Sequence, residues 1–133
     1  MNQLSSIVDL LDGAGDVMEG ATMTEGDAKD YVRQRFPNTG YCIVRNWIWL
    51  DIDLPDGGDE LFERIGRKPV VIYAHDVVYD SMARWSPGSF VRTSYLRDFY
   101  DGYLFQTDKT VYVLLGDGLQ KRVSWKALTQ IME

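Results

Sequence analysis

The sequence predicts an α+β fold: a single domain with an antiparallel sheet of about five to six strands, two N-terminal helices and a short C-terminal helix. Three observations carry this prediction. Apolar residues recur at helical spacing before Pro37, the period changes to two from Tyr41, and helical spacing returns after Ser124. A chain of 133 residues, 45% hydrophobic and 13% aromatic, is long enough to bury a core without disulfide or metal staples.

Leu4, Ile7, Val8 and Leu11 share one helical face, and Gly13 stands where a C-terminal cap belongs, which predicts a short helix near residues 3–12. "GAGDVMEGATM" then reads as a mobile linker. Residues 1–23 are thus expected to be an acidic helix plus glycine-rich linker, and residues 24–133 the α+β domain. Thr24 with Asp27 three residues on forms a capping-box start, and Pro37 ends the helix it opens. Acids come first and arginines last in that helix, as its dipole favours.

In "YCIVRNWIWLDIDL" the even positions Cys42, Val44, Ile48, Leu50, Ile52 and Leu54 are apolar, while the odd ones run from aromatic to acidic. One long strand is expected, with one core face and a bulge near Asn46. "PDGGDELFERIG" supplies a turn and a short helix. "PVVIYAHDVVYD" is apolar on both sides and reads as a central strand. Pro87-Gly88 turns into a strand from Phe90 to Tyr95, "LRDFYDG" bends away, and the next two strands form a hairpin around Asp108-Lys109. After "GDG", "LQKRVS" closes the strand series, and Ser124 caps the last helix.

Charge is unevenly distributed. Residues 1–30 hold seven acids (Asp9, Asp12, Asp16, Glu19, Glu25, Asp27, Asp30) against Lys29, so the net charge of −6 arises there. This balance disfavours direct nucleic-acid binding, which needs clustered Lys and Arg, and favours docking onto a basic partner surface. No segment is apolar enough to span a bilayer, and the start has no basic n-region, so a cytoplasmic protein without membrane attachment is expected. Cys42 stands alone, which fits a reducing compartment.

Few residues suggest chemistry. Asp51, Asp53, Asp56, Gly57 and Glu63 approach a calcium-loop order, but Pro55 adds a residue and a strand precedes them. With one histidine, His75, and one cysteine, no usual zinc set exists in one chain. His75 and Asp76 are adjacent on a strand and point to opposite faces, which opposes a triad with Ser94. "GAG" and "GDG" are too short to cradle phosphate. No metal site, cofactor or catalytic residue is therefore expected. Surfaces remain: Trp47 and Trp49 are either covered by helices or form an exposed patch, which Arg92 and Ser94 would extend.

Four stretches, "VRNWIWLD" (Val44–Asp51), "VVIYAHDVVYDS" (Val70–Ser81), "FVRTSYL" (Phe90–Leu96) and "TVYVLLGDGLQK" (Thr110–Lys121), carry a resemblance. Over about residues 25–123 the chain resembles an uncharacterised family of small proteins from pseudomonads, their prophages and integrative elements. The resemblance implies a cytoplasmic accessory protein of a mobile element or its host. Small acidic proteins in that setting are often inhibitors of host machinery, anti-CRISPR proteins among them. It carries over no catalytic residue.

The expected function is non-catalytic binding of a host protein, with occlusion of a basic surface as in an inhibitor of a defence complex. Asp9, Asp12, Asp16 and Glu19 would supply charge, and Trp47, Trp49, Arg92 and Ser94 the anchor. One alternative is a small metal-dependent or hydrolytic enzyme using Asp51, Asp53, Asp56 and His75; another is a self-associating host-side module, for instance a homodimer.

Overall fold

The computed structural model describes residues 13–131. In chain order they form β1 (Asp16–Met18), α1 (Glu25–Arg35), β2 (Gly40–Asp53), α2 (Gly58–Ile65), β3 (Val70–Asp80) and β4 (Val91–Arg92). β5 (Asp98–Tyr100), β6 (Leu104–Gln106), β7 (Thr110–Leu114), β8 (Gly118–Ser124) and α3 (Trp125–Ile131) follow. The class is α+β, as expected, but the sheet is mixed. β2 pairs antiparallel with β3 on one edge and parallel with β7 and then β8 on the other. A purely antiparallel sheet is thereby corrected: β7 and β8 lie far along the chain from β2 and so need no hairpin to reach it.

The sheet curls until its hydrogen bonding returns on itself. Beyond β4 the chain stays on β3, with Thr93 N–H donating to Ile72 O (2.9 Å) and Leu96 N–H to Val70 O (3.0 Å). It then crosses to β6, where Arg97 N–H donates to Gln106 O (2.8 Å) and β5 pairs. β6 pairs with β7, and β7 with β2. The expected strand from Phe90 to Tyr95 shrinks to Val91–Arg92 because the Thr93 hydroxyl, not a carbonyl, accepts from Ile72 N–H (2.9 Å). "LRDFYDG", expected to bend away, contributes β5 instead.

Three apolar clusters result. The curled sheet encloses Cys42, Val44, Trp47, Trp49, Ile72, Phe105 and their neighbours. α1 covers Tyr41, Ile43, Val111 and Val113 with its own Ala28 and Val32, and α3 covers Ile48, Leu50, Ile52 and Val71 with Leu128. α1 starts where its caps dictate: Thr24 Oγ1 accepts from Asp27 N–H (3.1 Å). Ser124 Oγ does the same for Ala127 N–H (3.0 Å) at α3.

The single core face expected for β2 is corrected by one residue. Asn46 adopts φ 52°, a left-handed conformation that asparagine tolerates, and this reverses the alternation. Cys42 and Val44 before it, and Trp47 and Trp49 after it, therefore all point into the enclosed cluster. The opposite edge matches: Val44 pairs with Leu114 but Ile48 with Leu119, so the β7–β8 side carries one extra residue there. Gly116, at φ 68°, takes that turn.

The linker is also revised. β1 pairs antiparallel with β8, and Ala21 is buried and bridges Leu115. Gly20 and Gly118 lie against the Trp47 indole; a Cβ would fall 2.9 Å from its Cζ2 at Gly20 and 2.3 Å from its Cδ2 at Gly118. These glycines serve close packing of a tryptophan. The helix expected at residues 3–12 lies outside the described residues. Only one N-terminal helix is thus among them, and the short helix expected in "PDGGDELFERIG" is α2.

Candidate functional site

The bend in β2 shapes the surface beside it. Asn46 donates its side-chain N–H to the Asp76 carboxylate, tying the bend to β3. His75, directly before Asp76, is half-buried on the outer face, and its ring meets Tyr73 edge-on at 5.2 Å. Tyr73 in turn stacks on Phe90 with ring centroids 5.8 Å apart and planes 17° apart. Phe90 is nevertheless 64% exposed. Arg92 sits across from Tyr73 in the strand pairing and donates to its own neighbour, Thr93 O, at 3.3 Å. His75, Tyr73 and Phe90 thus form an aromatic shelf with Arg92 at its far side.

On the other side of His75 lies an open recess of about 340 Å³. Val17, Ile48 and Leu119 give it apolar walls, and Asp117 stands at its rim. Val17 is 72% exposed. Asp117 is exposed and has no ion-pair partner among the described residues. Water meets both apolar ends of this surface.

The residues expected to bind a partner are dispersed. Trp47 (1% exposed) and Trp49 (8%) form no outer patch: of the two expectations coverage holds, by the curled sheet and not by helices, because the Asn46 reversal turns them inward. Trp49 packs edge-on against Phe99 and Phe105 at 4.9 and 5.5 Å. Asp16 and Glu19 are exposed, whereas Asp9 and Asp12 lie outside the described residues. Arg92 belongs to the shelf; Ser94 is exposed and lines a smaller depression with Ile65 and Tyr95. Phe90, Tyr73, Val17 and Asp117 were not expected. Phe90 was findable, since alternation puts it on the Arg92–Ser94 side and not with buried Val91 and Thr93.

The acid-rich alternative is not assembled as one site. Asp51 accepts from Trp49 Nε1 (3.1 Å) and Gln120 Nε2 (2.8 Å), and Asp53 pairs with Arg122. His75 lies opposite Asn46, five residues from Asp51 along β2 and so roughly 16 Å away at the strand rise. Among the described residues no group of three His, Cys, Asp or Glu side chains could hold a metal. A wider groove of about 680 Å³ runs past Asp16, Asp51 and Gln120; within it Gln120 Nε2 donates to Asp51, and Lys121 Nζ donates to Gly13 O at 2.7 Å.

A second polar cluster lies at the far end of β3. Arg84 donates from Nη2 to Asp80 Oδ1 (2.8 Å), from Nε to Oδ2 (3.1 Å), and from Nη1 to Thr110 Oγ1 (2.7 Å). Burial pushes the Asp80 carboxyl up, but the Arg84 hydrogen bonds outweigh it and hold the group below the usual carboxylate range. Burial pushes the Cys42 thiol, nearby, up to about 12, so it stays protonated at neutral pH and is a poor nucleophile.

The sequence carries a match on the same scale as this fold. A family model, described as a domain of unknown function (DUF6957), matches residues 19–130. The chain belongs to that family. Its span takes in the shelf and all of the recess except Val17. No curated protein and no solved structure matches the chain. No helix among the described residues is long and apolar enough to cross a membrane.

Proposed function

We propose that this protein is a non-catalytic binding protein that docks a partner protein on the outer face of β3. The observation that supports the reading is Phe90, a large aromatic side chain 64% exposed, continuous through Tyr73 and His75 with a recess walled by exposed Val17. Aromatic residues beside an arginine are the side chains that contribute most to protein interfaces. Contiguous apolar surface left in water is a cost that a partner removes. The chain's acidity, concentrated before residue 31, favours a partner with a basic surface. The resemblance to small proteins of pseudomonads and their mobile elements supports a narrower form, an accessory inhibitor that occludes a basic surface of a host defence complex.

The test is affinity capture by the full chain at moderate salt, comparing wild type with Phe90→Ser and with Leu61→Ser, another exposed apolar position on α2. Phe90→Ser is expected to lose a stoichiometric partner that wild type and Leu61→Ser retain. Equal capture by all three overturns the reading.

A further inference from the structure

We propose that the recess beside His75 takes one long cationic side chain, arginine or lysine, from a basic segment of the partner protein. The inference rests on the binding reading above and adds the chemistry of the partner. The recess, at about 340 Å³, lies at the low end of the range for small-molecule sites, roughly 300–1,000 Å³, and suits one side chain. Val17, Ile48 and Leu119 offer apolar walls on which an aliphatic stem can lie, as the stems of Lys and Arg do on apolar surfaces.

The head group is selected by charge. Asp117 stands at the rim without an ion-pair partner among the described residues. Asp76 lies next to the recess residue His75, held there by Asn46. Arg45 is also at this turn, where a Cβ on Gly116 would lie 3.4 Å from its Nη1, and the two carboxylates outnumber it. A phosphate or carboxylate is repelled here. A neutral apolar side chain would cover the Asp117 carboxylate without giving it a partner, which costs binding energy. A guanidinium or ammonium satisfies the carboxylate and leaves the stem on the walls.

The shelf sets the direction. Arg92, across from Tyr73, repels a second cation at the far end, so the segment places its cation in the recess and a neutral or acidic residue over Arg92. Phe90 between them meets an apolar or flat polar side chain.

The test uses the full chain, ¹⁵N-labelled, titrated with the pentapeptide acetyl-Gly-Ser-Arg-Ser-Gly-amide and with the same peptide carrying citrulline, which keeps the shape of arginine without its charge. Saturable shifts are expected at the amides of Val17, His75, Asp117 and Leu119 with the arginine peptide. Citrulline, and separately Asp117→Asn, should each weaken binding about threefold, the size of a partly exposed ion pair. Equal binding of the two peptides, unchanged binding by Asp117→Asn, or shifts confined to Asp51 and Asp53 overturns the assignment. These results separate from the capture experiment. If the arginine peptide fails while Phe90→Ser still loses the partner, the shelf remains a docking face and only the cation is wrong. If the peptide binds but Phe90→Ser captures normally, the binding reading falls instead.

Discussion

Two regions of β3 differ in what their polar and aromatic groups do. At Asp80 a carboxylate, a guanidinium, a threonine hydroxyl and a buried thiol are packed together, and the polar ones are satisfied from within. Around His75 and Phe90 there are fewer polar groups, but Asp117 has no ion pair among the described residues and two apolar side chains stand in water. The first region has the residue types that suggest chemistry; the second has the unmet contacts that suggest a partner. Density of titratable groups is a poor guide when each already has its match.

The sharpest way to break this contrast is to open the closed region. Arg84→Ala leaves the Asp80 carboxylate, whose side chain is fully buried, without its counterion. The expected cost is about 3 kcal/mol, at the low end for a broken buried pair because the Arg84 backbone N–H still donates to Asp80 (2.7 Å). Urea unfolding measures it. The sign with pH follows from the depressed Asp80 value. Its contribution is full above the ordinary carboxylate value near about 3.9 and is lost as pH falls through the lower folded value. In Arg84→Ala burial acts on Asp80 with less opposition and raises its folded value. The gap between wild type and variant should therefore narrow as pH falls from that raised value through the depressed wild-type one. A gap independent of pH would show that Asp80 is not the group concerned.

Next in size is the floor of the recess. Gly118→Ala would place a Cβ 2.3 Å from Trp47 Cδ2 and 2.5 Å from Trp47 O, and the nearby backbone cannot yield freely. A loss of about 1–3 kcal/mol is expected, as for overpacking elsewhere. A stability equal to wild type would mean that Trp47 is not pinned by β8.

The smallest effect belongs to the open region. Phe90→Ser removes an exposed ring and should change stability by no more than about 0.5 kcal/mol, while partner capture is lost. A large loss of stability would make Phe90 a structural residue and dissolve the contrast.

Much of the architecture was legible because it is written locally. Thr24 and Ser124 cap the helices they announce, and Asp108-Lys109 lies in the connection between β6 and β7. What could not be read is set by single residues acting at a distance. The alternation of β2 suggested one core face, yet Asn46 reverses it and buries Trp47 and Trp49. Nothing in "TVYVL" or "GLQKRVS" names β2 as a parallel neighbour, since that pairing joins segments far apart in sequence. The candidate surface was half visible. Arg92 was placed beside it, but the recess joins β1, the β2 bend, β3 and the β7–β8 turn, and no local pattern connects them.

The pairing of β2 also governs the order in which this protein can assemble. β2 and β3 are close enough in sequence to form a hairpin as soon as both exist, but Gly40 waits for Thr110 and Asp53 for Ser124. Until residues 110–124 arrive, one side of a 14-residue strand has unpaired backbone groups open to any other strand. Contacts so distant in sequence make closure slow. For this chain the passage most exposed to aggregation comes before the folded state, on the edge of β2 that the finished sheet hides.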